Sequence, residues 1–156
     1  MPTIILETHI NAPIKRVFDL ARSIDAHTTS AGHTSERAIA GRTTGLIELN
    51  DQVTWQAKHF GITQCLTVEI TAMEPPFSFS DRMIKGAFAH MDHIHSFIPD
   101  KNGVTMMDQF TFRAPLGLLG RCAEALFLTK YMKRFLTIRA QHLRQMAESD
   151  QWQQFL

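Results

Sequence analysis

Apolar residues recur with a helical period over the longest uninterrupted stretch of the chain, from Leu116 to Ser149. This stretch follows Pro115 and contains no proline. A spacing of three and four residues is typical of an amphipathic helix. The apolar positions are Leu128, Met132, Phe135, Leu136, Leu143 and Met146. The pattern predicts one helix of roughly nine turns, with an apolar face that needs a wide apolar partner.

The first quarter of the chain predicts a strand followed by helical structure. Alternation predicts a half-buried strand from Thr3 to Asn11. A helix is expected to begin near Pro13, with Asn11 as its cap, and to end near Ser23. The segment 25–35 is expected to form a second short helix or a loop.

The middle of the chain alternates in short segments that turn signals separate, as in consecutive strands. A short strand is expected first, followed by a connection over 42–51. At the other end of the chain, a frayed tail is expected over 150–156. The expected strands cover residues 36–41, 53–60, 62–72, 77–85, 90–98 and 104–113. Because short turns join most of them, the strands should be mainly antiparallel. The sequence predicts one α+β domain over residues 1–156, in which a curved sheet of about seven strands grips the last helix.

Composition narrows the class of protein. Hydrophobic residues make up 44% of the chain and the formal net charge is +1, so a large core is expected and nucleic-acid binding is not. The two cysteines, Cys65 and Cys122, lie far apart, which argues against a disulfide framework. No signal-peptide pattern or apolar run of about 18 residues is present. We therefore expect a cytoplasmic protein without stable membrane insertion.

Strand parity places ionisable side chains on the apolar face of the expected sheet. These residues are His59, Asp81, His93, His95 and Asp108. Buried ionisable groups are costly unless they are paired, so two main interpretations follow. The commoner one is a structural hydrogen-bond network. The other is a small-molecule cavity with polar anchors, whose walls are Trp55, Phe79, Met83, Met106 and Phe110.

Metal binding and catalysis are further alternatives. His93 and His95 lie on one side of a strand, and Asp81 or Asp108 could add a carboxylate. A His-x-His pattern alone is a weak signal, so no metal and no cofactor are predicted. An aspartate beside a histidine permits acid–base chemistry, but the chain contains no recognisable nucleophile motif.

Several short motifs resemble those of a known superfamily. They are Ile10-Asn-Ala-Pro13 with Val17-Phe-Asp-Leu20, Val53-Thr-Trp55 with Phe60-Gly61, Asp81 with Gly86, His93-x-His95-x-Phe97, and Met106-x-Asp108 with Pro115-x-Gly117-x-x-Gly120. From about Ile4 to Ala147 the chain resembles the SRPBCC superfamily of START-like helix-grip domains. It is most similar to a bacterial branch described as ligand-binding SRPBCC proteins. The resemblance implies a seven-stranded sheet, two short helices and a C-terminal helix around a deep hydrophobic cavity.

The residues and the resemblance together predict a protein that binds or carries a small hydrophobic molecule, such as a lipid, an isoprenoid or a polyketide-like compound. The alternatives are a cyclase or dehydratase that uses a His/Asp pair, and an interaction module with a closed core. No catalytic residue is assigned. The expected ligand-binding residues are Trp55, His59, Phe79, Asp81, Met83, His93, His95, Met106, Asp108, Phe110, Met132, Phe135 and Leu136.

Overall fold

A computed structural model describes residues 1–156. Seven strands form one antiparallel sheet in the order β1-β7-β6-β5-β4-β3-β2. The strands are β1 (Thr3–Ile10), β2 (Arg37–Gly41), β3 (Gln52–His59), β4 (Ile62–Glu74), β5 (Ser78–Lys85), β6 (His90–Asp100) and β7 (Gly103–Arg113). Two short helices, α1 (Ile14–Ala21) and α2 (Ile24–Ser30), follow β1. The predicted helix-grip architecture is thus confirmed.

The C-terminal helix is continuous but not uniform. Helix α3 (Gly117–Ala123) leads through a π-helical segment, Glu124–Leu128, into α4 (Thr129–Glu148). The Glu124 carboxylate is buried and accepts a hydrogen bond from the Ala114 backbone N–H at 2.6 Å. The Thr129 hydroxyl donates to the Glu124 carbonyl, five residues earlier, at 2.8 Å. This widened turn was not predicted, because the apolar period does not reveal it.

Two sequence-based expectations about helix ends were wrong. Pro13, not Asn11, is the N-terminal capping position of α1, and no side chain caps it. Instead, the Asn11 backbone N–H donates to the Glu148 carboxylate at 2.8 Å and ties β1 to the end of α4. The tail is not frayed: residues 150–154 form a 3₁₀-helix, and Trp152 lies under the Arg16 guanidinium at 4.3 Å. The aromatic residues of the tail explain why it packs on the core.

The core lies between the concave face of the sheet and helices α1 and α4. Phe18 of α1 packs edge-on against Phe97 and Phe79 of the sheet, at 5.5 and 5.8 Å between ring centroids. Such edge-on aromatic contacts pack α1 firmly against the sheet. None of the helices combines the length and hydropathy that crossing a bilayer would require.

The hairpin between β3 and β4 illustrates why the strands have this register. Phe60 and Gly61 both have positive φ, 52° and 75°, and His59 pairs with Ile62. A two-residue turn of this kind matches the twist of the flanking strands. The turn places Phe60 beside α4, at the edge of the candidate site.

Candidate functional site

A cavity of about 280 Å³ lies between the sheet and the C-terminal helix. Of the 32 residues that line it, 21 are hydrophobic. Small-molecule pockets have volumes of roughly 300–1,000 Å³ and mainly apolar walls with a few polar groups. This cavity is close to the lower end of that range and has the same kind of wall.

Ten of the thirteen residues predicted from the sequence line the cavity. They are Trp55, His59, Phe79, Asp81, His93, His95, Phe110, Met132, Phe135 and Leu136. Met83, Met106 and Asp108 do not line it; Met106 and Asp108 border a separate void of about 20 Å³. Strand parity placed these three residues on the inner face of the sheet, but it does not show how far a side chain lies from the cavity.

The inner polar residues form one connected network across three strands. Asp81 is paired with His93 in the β5–β6 register, and His95 is paired with Asp108 in the β6–β7 register. Asp108 Oδ1 lies 3.1 Å from His93 Nε2 and 2.8 Å from His95 Nδ1. Asp81 Oδ2 lies 3.4 Å from His95 Nε2. Asp108 therefore contacts both histidines but does not line the cavity, whereas Asp81 contacts His95 at the cavity wall.

The charges in this network stabilise one another. Burial by itself raises the pKa of Asp81 and Asp108, but the contacts with the two histidines outweigh it and hold both pKa values below their ordinary range. Burial also lowers the pKa of His95, but its contacts with Asp108 and Asp81 outweigh burial and raise that pKa overall. Burial and the neighbouring His95 lower the pKa of His93. The network therefore contains two ionised carboxylates, and the pKa values of its two histidines are shifted in opposite directions.

A second ionisable pair, formed by the half-buried His27 and the buried Glu36, was missed by the sequence analysis. His27 Nε2 and Glu36 Oε1 form a short hydrogen bond, and the His27 ring stacks on Trp55 at 3.9 Å between centroids. Both residues line the cavity. His27 follows the buried Ile24 by three residues, which is the spacing of one helix face. If this segment had been assigned to a helix, the spacing would have placed His27 on the same face as the buried Ile24.

Arg139 is the other residue that was missed. It lines the cavity, and its Nε atom is buried without a hydrogen-bond partner. Its position continues the apolar stripe, three residues after Leu136 and four before Leu143. The signal in the sequence was a positively charged residue within the apolar face of the helix. Such a residue points to a polar site, because a buried donor needs a hydrogen-bond acceptor.

Aromatic side chains gather where the β3–β4 turn meets the C-terminal helix. His59 Nδ1 and the Tyr131 hydroxyl share a hydrogen bond of 2.7 Å. Phe60 lies 4.4 Å from Tyr131 and 5.8 Å from Phe127 between ring centroids. Phe60, Phe127 and the adjacent Leu126 are all exposed. This aromatic edge lies beside the π-helical segment, a form of helix that is frequent at functional sites.

We expect stability to fall on mild acidification because of His27. Burial and the charge of Arg139 lower the pKa of His27, against the opposing effects of Glu36 and Asp81. The unfolded chain therefore takes up a proton near the ordinary pKa of about 6.5, whereas the folded protein does not. Stability contributed by neutral His27 is present above that pH and is lost as the pH falls below it.

Urea unfolding at pH 7.5 and 5.5 tests this expectation. Burial lowers the pKa of His33, His59 and His93 as well, so these three act in the same direction, whereas His95 acts in the opposite one. The unfolding midpoint of the wild type should be lower at pH 5.5, and the difference should shrink in His27→Gln. An equal loss in the two proteins would contradict the role given to His27.

The comparisons with known proteins agree with this fold. No protein-family model matches the sequence, and no curated protein matches it. TTHA0849 from Thermus thermophilus superposes with a TM-score of 0.77 at 17% identity, over 94% of this chain and 97% of that one. Ginseng major latex-like protein 151 from Panax ginseng gives a TM-score of 0.68 at 13% identity, over 95% and 98%. Ara h 8.0201 gives 0.57 at 15% identity, over 91% and 97%.

These identities are too low to transfer an activity, but the coverage extends over nearly the whole of each chain. Ara h 8.0201 and the major latex-like protein have the Bet v 1-like form of the SRPBCC fold. The resemblance to one bacterial branch stays a prediction. This chain therefore has the helix-grip fold.

Proposed function

We propose that this protein binds or carries a small, mainly apolar molecule in the cavity between the sheet and the C-terminal helix. The observation that carries the proposal is an apolar-walled space of about 280 Å³ with a few convergent polar groups. A fully packed core has few voids larger than a water molecule. The cavity therefore favours ligand binding over an interaction module with a closed core.

The size of the cavity limits the class of ligand. Because its volume is close to the lower end of the usual range, a single-chain lipid, a short isoprenoid or a small polyketide-like ring system fits better than a lipid with two long chains. Met132, Phe135 and Leu136 of α4 and Trp55 and Phe79 of the sheet would enclose the apolar part.

The polar wall would orient the ligand. Asp81, His93, His95 and Arg139 all line the cavity. A ligand carbonyl or hydroxyl oxygen would accept a hydrogen bond from the guanidinium of Arg139, whose Nε has no partner within the protein. Satisfying a buried donor in this way is worth more than the same contact in water.

Catalysis by a cyclase- or dehydratase-type mechanism is the second candidate. His93 is held at Nε2 by Asp108, lines the cavity and has a pKa lowered by burial. A neutral imidazole oriented by a carboxylate is a suitable general base. Turnover of a polyketide-like substrate, lost in His93→Gln while binding persists, would favour this candidate over simple carriage.

Native mass spectrometry of the purified protein, followed by denaturation and extraction, tests the proposed function. We expect a small apolar molecule in near-stoichiometric amount, released only when the protein unfolds. The proposal would be contradicted by a bare protein that also shows no thermal stabilisation with single-chain fatty acids, isoprenoid alcohols and small aromatic polyketides.

A further inference from the structure

We propose that Asp81, His93 and His95 form a binding site for a divalent transition-metal ion such as Zn²⁺. One ligand atom from each of these residues lies within 4.8 Å of the others. The three side chains are 13%, 6% and 6% exposed, and all three line the cavity. This inference does not depend on the proposed apolar ligand.

The orientation of the histidines supports a metal site. Asp108 Oδ1 contacts Nε2 of His93 and Nδ1 of His95. The nitrogens left over are His93 Nδ1 and His95 Nε2, and the latter lies 3.4 Å from Asp81 Oδ2. Metal-binding histidines usually donate their other N–H to a carboxylate, which fixes the tautomer and the ring orientation. Here one carboxylate does this for both rings.

The distances require only a small contraction. Tetrahedral ligands at about 2.0–2.1 Å from zinc lie about 3.3 Å apart. The contact between His95 Nε2 and Asp81 Oδ2 already has this length. The other pairs of ligand atoms are no more than 4.8 Å apart. Closing the site would need rotation of Asp81, the most exposed of the three side chains, together with a small rotation of a histidine ring.

The balance of buried charge also favours a cation. Three carboxylates, those of Glu36, Asp81 and Asp108, lie at or behind the cavity wall. Each of them contacts a histidine: Glu36 contacts His27, Asp81 contacts His95, and Asp108 contacts His93 and His95. Metals bind the neutral form of histidine. A bound divalent ion would therefore be the cation that compensates the buried Asp81 and Asp108 carboxylates.

The donor set indicates the class of ion. Two imidazoles and a carboxylate suit zinc, iron, cobalt or nickel rather than magnesium or calcium, which prefer oxygen ligands. Three protein ligands leave a coordination position for water or for an oxygen atom of a small molecule. That position would face the cavity.

Isothermal titration of chelator-treated protein with Zn²⁺ tests the site. We expect one ion per chain for the wild type and at least tenfold weaker binding for Asp81→Asn, because the variant loses the anionic ligand. His90→Gln is the matched control, since His90 and Asp92 form a pair at 2.6 Å on the outer face of the same sheet. It should bind like the wild type. Unchanged binding in Asp81→Asn, or loss of binding in His90→Gln, would overturn the inference.

A second measurement on the wild type covers the case in which Asp81→Asn does not fold. Co²⁺ should absorb visible light more strongly than the aqueous ion, as expected of a site with low coordination number, and Zn²⁺ should shift the imidazole NMR signals of His93 and His95. Shifts confined to the surface residues His9 and His90 would overturn the proposal. Because the protein is titrated with metal alone, failure here leaves the apolar-ligand proposal standing.

Discussion

Replacing Asp108 with alanine should lower the free energy of unfolding by about 3–5 kcal/mol, the usual cost of removing one partner from a buried ionic group. Asp108 is 6% exposed and holds both His93 and His95. Without it, two buried imidazole nitrogens lose their acceptor, and water reaches them poorly. The unfolding midpoint in urea, measured at pH 7.5, reports the loss.

Asp92→Ala is the matched control for this prediction. Asp92 also contacts a histidine, His90, and an arginine, Arg82, but its side chain is 32% exposed. Exposed ion pairs contribute about 0–1 kcal/mol, so this variant should differ little from the wild type. If both variants lost the same small amount, Asp108 would not be the anchor of a buried network.

Replacing Ala57 with phenylalanine should weaken the binding of an apolar probe at least tenfold without unfolding the protein. Ala57 is 7% exposed and lines the cavity, so the added ring would occupy the space of the ligand. Filling an existing void avoids most of the strain that overpacking causes in a dense core. The neutral fluorophore N-phenyl-1-naphthylamine serves as the probe, and thermal unfolding checks the fold.

Ala72→Phe provides the control for the added ring. Ala72 lies on the neighbouring strand β4, is exposed and does not line the cavity. The probe should bind this variant as it binds the wild type. Equal affinity for Ala57→Phe and the wild type would show that the probe does not occupy the space beside Ala57, and would contradict the prediction.

The fold was largely predictable because each element satisfies one periodicity. Val104, Met106, Asp108, Phe110 and Phe112 alternate along β7, and all five are buried as their parity predicts. The same rule placed the inner residues of β3 and β6. Side-chain direction along a strand depends only on the backbone, so a single sequence is enough to assign it.

The candidate site was less predictable because depth depends on tertiary structure. Parity put Asp108 and His93 on one face, but it could not show that His93 reaches the cavity while Asp108 stays behind it. His27 arrives from α2 and Arg139 from α4. Their meeting with Glu36 and Asp81 follows from the curvature of the sheet and the tilt of the helix, and no local pattern encodes either.

Methyl NMR of protein labelled at methionine tests the central claim, that a ligand occupies the cavity. The chain has eight methionines, of which Met91 and Met132 line the cavity, whereas Met146 is buried elsewhere in the core. Titration with N-phenyl-1-naphthylamine should shift the methyl signals of Met91 and Met132 and leave that of Met146 in place. Unchanged signals from Met91 and Met132 at a probe concentration that saturates fluorescence would contradict the proposed binding site.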